Sequence, residues 1–196
     1  MLKKIDFKRK LLSLSIILLA YFLYSLSRAE AIICMLVLSM IFTILDLIYH
    51  KTGTKNFLMR LYFNLYPKKE HEYERSLSDA TVFFWSTFLM VILFSREIMM
   101  YSIAVYIIAD ATAHIFGIIF HGGELFWNKE KTWGGLVPSF LFALLTGYLV
   151  IKLIPEIDFS AFKIAASAGI IALMGTLNDY DNVAMPWGAA IFLRML

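Results

Sequence analysis

Apolar segments of spanning length follow one another along most of this chain, separated by short polar breaks. They run Leu11 to Leu26, Ala31 to about Tyr49, Ala80 to Phe94, Ile98 to about Phe120, Leu136 to Ile154, Ala161 to Leu177 and Val183 to Leu196. A transmembrane helix needs roughly 20 predominantly apolar residues, whereas only about half the residues of a soluble domain are apolar. Here 60% of 196 residues are hydrophobic, so no soluble domain fits beside the apolar runs. The expected fold is all-α, a polytopic integral membrane helical bundle with about six or seven spans. Residues 1–196 are expected to form a single membrane domain, with N-terminal spans and a linker in 1–79 and the remaining bundle in 80–196. The last run contains Pro186, and its length leaves open whether 183–196 fully crosses the bilayer.

Distribution of charge gives an orientation. Lys3, Lys4, Lys8, Arg9 and Lys10 precede the first run, and Ala29-Glu30-Ala31 after it imitates a signal-peptidase site. The spans that follow favour an uncleaved first helix. The N-terminus, the His50 to Asp79 linker and the His121 to Gly135 loop together hold thirteen Lys and Arg. The opposite side holds five: Arg28, Arg96, Lys152, Lys163 and Arg194. The positive-inside rule then places the N-terminus in the cytoplasm, together with the linker, the Lys131 loop and the Asn178 to Asn182 loop. Within the linker, Phe57, Leu58, Leu61, Tyr62 and Leu65 recur at helical spacing before Pro67 and predict a short interfacial helix. The net charge of +3 is small, and no nucleic-acid partner is expected from it. The single cysteine, Cys34, excludes an internal disulfide and a thiolate metal cluster.

Three segments carry polar chemistry against this background. Asp110 lies inside the fourth run, where a carboxylate is costly unless it faces the bundle or water. Ala113, His114 and Gly117 share its helical face. Asp110 is thus a structural acid paired in the bundle or a ligand for Mg2+, which one or two carboxylates hold together with substrate phosphates. His114 is a bundle residue or a base. The segment Asn128-Lys129-Glu130-Lys131-Thr132-Trp133-Gly134-Gly135 combines a mobile cation, hydroxyl and amide donors, and glycines that let backbone N–H groups approach an anion. A helix opens just after it, directing its N-terminal dipole at the same place. The plainer reading makes Lys129 and Lys131 positive-inside residues flanked by the interfacial anchors Trp127 and Trp133. Asp181-Asn182 supplies a second carboxylate and an amide, or a solvated loop, with Asp179 two residues earlier.

These residues resemble a known family. Asp110-Ala111-Thr112-Ala113 with Gly117, then Asn128, Lys131-Thr132, Gly134-Gly135 and Phe140, is similar to the "D-x-x-A-x-x-x-G … N-x-x-K-T-x-x-G-S … F" block of the CTP-dependent polyprenol kinases. That family includes dolichol, phytol and farnesol kinases and a CTP-dependent diacylglycerol kinase. Asp181-Asn182 with Pro186 resembles its later "D-N-x-x-x-P" motif, and Glu74-Arg75 its charged segment. The likeness covers about the last two thirds of the chain. Ala109 stands where the family usually has Gly, and Gly135 where it has Ser, which leaves backbone rather than a hydroxyl at that position.

The resemblance implies a membrane kinase that transfers the γ-phosphate of CTP to an isoprenoid alcohol or diacylglycerol on the cytoplasmic side. It implies nucleotide contacts at Asn128, Lys131, Thr132, Gly134, Gly135 and Asn182, Mg2+ at Asp110 and Asp181, and catalytic roles for Asp110, Lys131 and Asp181. The implied partners are CTP or another nucleoside triphosphate, a lipid alcohol and membrane lipids, with a homodimer left open. Two alternatives stand beside it. Phosphatidate cytidylyltransferases carry a similar K-T-W-x-G block, which Lys131-Thr132-Trp133 matches, but also a later G-D-x-x-x-S-x-x-K-R block with no counterpart here. A small transporter with Asp110 as its ion site would have no use for the lysine and glycine loop.

Overall fold

The computed structural model describes residues 7–52, 77–120, 122–177 and 181–196. The interfacial helix expected at Phe57 to Leu65, and Asp179, lie outside the described residues. Seven helices occur among those described: α1 (Phe7–Ser25), α2 (Arg28–Thr52), α3 (Asp79–Leu93), α4 (Arg96–Phe120), α5 (Trp133–Leu153), α6 (Ala161–Leu177) and α7 (Asp181–Met195). The segments Arg28–Tyr49, Arg96–Phe120 and Trp133–Leu153 are long and apolar enough to cross a membrane. With 15 residues each, α3 and α7 reach only about 22 Å, short of the roughly 30 Å hydrocarbon core.

Local chemistry sets the helix ends. Ala29-Glu30-Ala31 falls in the first turn of α2, where the Glu30 carboxylate accepts from the Ser27 amide at 2.9 Å and its hydroxyl at 2.7 Å. That reciprocal cap satisfies donors a helix start leaves open. The α3 start is held from α2: Oδ2 of fully buried Asp46 accepts from the Ser78 amide (2.7 Å), the Ser78 hydroxyl (2.9 Å) and the Thr81 hydroxyl (2.7 Å).

Helix α4 is central. It packs against α1, α3, α5, α6 and α7, and every residue from Met99 to Ile107 is buried, as a helix apolar on all sides requires. Its closest neighbour is α5, which turns a four-residue stripe of small side chains toward it: Gly135, Ser139, Ala143 and Gly147, all buried. A Cβ on Gly135 would lie 2.8 Å from the Ala113 carbonyl oxygen, and one on Gly147 would lie 2.5 Å from the Tyr101 hydroxyl. Small residues at this spacing let helix backbones approach in membranes, where van der Waals packing carries association.

At the end opposite the hairpin, arginines close helix C-termini. Arg28 donates to the Ile92 carbonyl, Arg194 to that of Leu93 at 2.9 Å, and Arg96 to that of Leu26 at 3.1 Å. The last carbonyls of a helix lack intrahelical partners and carry partial negative charge.

One element departs from the all-α expectation. The segment read as a loop is a two-stranded antiparallel hairpin, β1 (Glu124–Leu125) and β2 (Asn128–Thr132). Gly122 (φ 61°) and Gly123 (φ 83°) turn the chain off α4, and the Trp133 amide donates to the Gly123 carbonyl at 3.0 Å. Helix α5 therefore begins at Trp133, three residues before the expected Leu136, and takes Gly134 and Gly135 into its first turn.

Candidate functional site

The hairpin reaches the start of α7 through one side chain. Lys131, on β2, places Nζ 3.4 Å from Oδ2 of Asp181, the first residue of α7. Oδ1 of Asp181 accepts from the Asn182 amide at 3.0 Å. Charge-assisted pairs close to about 2.7–2.9 Å, so this one is loose. Half-buried Lys131 is not locked to its partner.

Asn182 is held from the centre of the bundle. Tyr106 on α4 donates its hydroxyl to Oδ1 of Asn182 at 2.6 Å, and its ring lies against Phe83 of α3, centroids 6.1 Å apart. Asp110 follows Tyr106 by one helical turn and Gly117 falls on the same stripe. Gly117 in turn faces the start of α5: a Cβ there would come within 3.3 Å of the Thr132 hydroxyl and 3.8 Å of the Gly135 nitrogen. Half-buried Asp110 thus lies between the α4 level that touches Asn182 and the level that touches Thr132. Exposed His114 sits on the next turn.

Other residues singled out in the sequence hold the scaffold. Asn128 donates from Nδ2 to the Thr176 carbonyl at 2.9 Å, and its Oδ1 accepts from the Glu130 amide at 3.0 Å. Trp127 donates from Nε1 to the Thr176 hydroxyl at 3.1 Å. The amide of Asn128 is therefore committed to fixing the hairpin on α6. Buried Gly135 lies against the Ala113 carbonyl, and Gly134 against Gly122, where a Cβ would meet the Gly134 nitrogen at 2.7 Å. Gly122 and Gly135 are the positions that close backbone approach requires to be glycine, and the amides of Gly134 and Gly135 fall in the first turn of α5, where helical N–H groups have no intrahelical acceptor.

Two helix starts, one cation and one carboxylate thus meet at one end of the bundle, with Asp110 on the α4 stripe that touches both helices. The positive ends of α5 and α7 and the Lys131 ammonium favour an anion. Among the described residues no group of three or more His, Cys, Asp and Glu could hold a metal ion. Mg2+ commonly takes one or two carboxylates and fills its remaining positions with phosphate and water; the carboxylates at this end are Asp181, beside Lys131, and Asp110 on α4. Tyr106, Thr176 and Phe83 carry no polar signature in sequence, being an aromatic or hydroxyl within an apolar run. Comparison with protein-family models, curated proteins and solved structures gives no match.

Proposed function

We propose that this chain is a lipid-alcohol kinase embedded in the membrane with about six or seven spans, its N-terminus and active site on the cytoplasmic side. The nucleotide is CTP and the acceptor an isoprenoid alcohol of the phytol, farnesol, geranylgeraniol or dolichol type, or diacylglycerol. The observation that carries this reading is the 3.4 Å approach of Lys131 to Asp181. It joins the two motifs of the resemblance, 50 residues apart in sequence, at the starts of two helices.

Phosphoryl transfer is mostly positioning and charge neutralisation, and the residues suit those tasks. Lys131, the Thr132 hydroxyl and the amides of Gly134 and Gly135 would bind the triphosphate, with Asn182 beside them. Mg2+, held by Asp110 and Asp181 with phosphate oxygens, would neutralise charge on the transferring group. The acceptor hydroxyl oxygen forms the new bond to the γ-phosphorus, the bond to the β,γ-bridging oxygen breaks, CDP leaves, and the hydroxyl proton passes to a carboxylate of the site. Helix α7 is too short to reach both membrane surfaces, so Asp181 and Lys131 would sit below the level reached by α4. That depth would suit an acceptor whose hydroxyl stays near the headgroups.

The test supplies purified protein in detergent with CTP, Mg2+ and a panel of phytol, farnesol, geranylgeraniol, dolichol and diacylglycerol. Formation of a lipid monophosphate with CDP is expected. Pyrophosphate release, with a CDP-lipid formed from a lipid phosphate, would replace the kinase by a cytidylyltransferase. Loss of nucleotide binding in Lys131→Ala separates either enzyme from a transporter.

A further inference from the structure

The hairpin turn is built from the wrong residues for a turn in water. Two-residue hairpin turns favour Asn, Asp and Gly, yet here Phe126 and Trp127 connect the strands. Phe126 is 85% exposed, more than any other large hydrophobic side chain among the described residues. Its ring stands edge-on to Trp127, centroids 4.4 Å apart, and Trp127 stands edge-on to Trp133 at 5.7 Å.

This aromatic row continues an apolar surface. Trp133 heads an exposed stripe on α5 with Val137, Leu141 and Leu145, spaced four residues apart on one face. Trp127 bonds to Thr176 on α6, between exposed Leu173 and Leu177. The exposed charges of the hairpin, Glu124, Lys129 and Glu130, are on its strands. Aromatic side chains with one polar edge partition to the boundary between headgroups and acyl chains.

We infer that the Phe126-Trp127 turn is inserted into the headgroup and acyl boundary of the surrounding leaflet, with membrane lipid as its occupant. Lipid then holds the hairpin down and sets the depth at which Lys131 meets the acceptor. The insertion rests on the membrane reading of the chain, and its effect on the acceptor rests on the proposed kinase activity.

The test labels Phe126→Cys and, separately, Glu130→Cys with an environment-sensitive fluorophore in a Cys34→Ala background, in phosphatidylcholine vesicles. Nitroxide on the upper acyl chain should quench the label at 126 more strongly than aqueous iodide does, and the order should reverse at 130. Equal iodide quenching at both positions overturns the insertion. So does protection of 126 from both quenchers, which would put protein over the turn. In a second arm, Phe126→Ser should raise the KM for a bilayer-embedded acceptor about tenfold, from the lost burial of one aromatic side chain, with the KM for CTP unchanged. An unchanged acceptor KM overturns the depth-setting role. Quenching needs no turnover, so it decides the insertion even if the kinase reading fails.

Discussion

The Lys131 and Asp181 side chains are 33% and 16% exposed, and a partly hydrated pair at 3.4 Å contributes at most about 1 kcal/mol to stability. Lys131→Ala should therefore leave the melting temperature in detergent nearly unchanged while lowering kcat by about 100- to 1000-fold, the usual loss for one charge-stabilising donor. A parallel drop in melting temperature would make the lysine structural. Tyr106→Phe tests the next residue in the chain of contacts, because it keeps the ring on Phe83 and removes the hydroxyl that donates to Asn182. It should cost about 1 kcal/mol of stability and reduce turnover, whereas Tyr106→Leu should cost more of both by removing the ring contact as well. The charged members of the site were legible in sequence because a cation and carboxylates stand out in an apolar chain. Tyr106 and Thr176 were not, since their hydroxyls reach the site through Asn182 and Trp127, 76 and 49 residues away.

Among the elements, α5 shows what sequence could and could not give. Its existence followed from the apolar run, but its start did not, because Trp133-Gly134-Gly135 has the composition of a loop. Gly135 is helical because α4 comes too close for a side chain, a fact of packing rather than propensity. The hairpin was missed for a related reason: its turn carries Phe-Trp, and Asn-Lys-Glu-Lys-Thr lacks the apolar and polar alternation of a half-buried strand. Gly135→Val should clash with backbone at Ala113 and destabilise the protein by about 1–3 kcal/mol, read as a lower melting temperature in detergent. A mild effect would show that the two helices can part. Asp46→Ala removes the carboxylate that accepts from the buried Ser78 and Thr81 donors, which should cost about 1–3 kcal/mol. Limited proteolysis should then cut more readily ahead of α3; cleavage at the wild-type rate would count against that clamp.

Across the whole molecule, the two ends are chemically different. At one end Arg28, Arg96 and Arg194 are tied to helix carbonyls, so three of the five basic residues expected there have structural duties. At the other, Lys131 meets Asp181 beside two helix starts. The proposed orientation makes a cysteine at Glu130 reactive toward impermeant maleimide from the cytoplasmic side; labelling from the outside would invert the topology. The central claim is that two segments distant in sequence form one site for a metal-bound triphosphate. It is tested most directly by the equilibrium binding of CTP to the purified protein, with and without Mg2+, in wild type, Lys131→Ala and Asp181→Asn. The expected result is Mg2+-dependent binding to wild type, weakened about tenfold or more in each variant, as for one lost charge-assisted contact. Wild-type affinity in both variants would contradict the site.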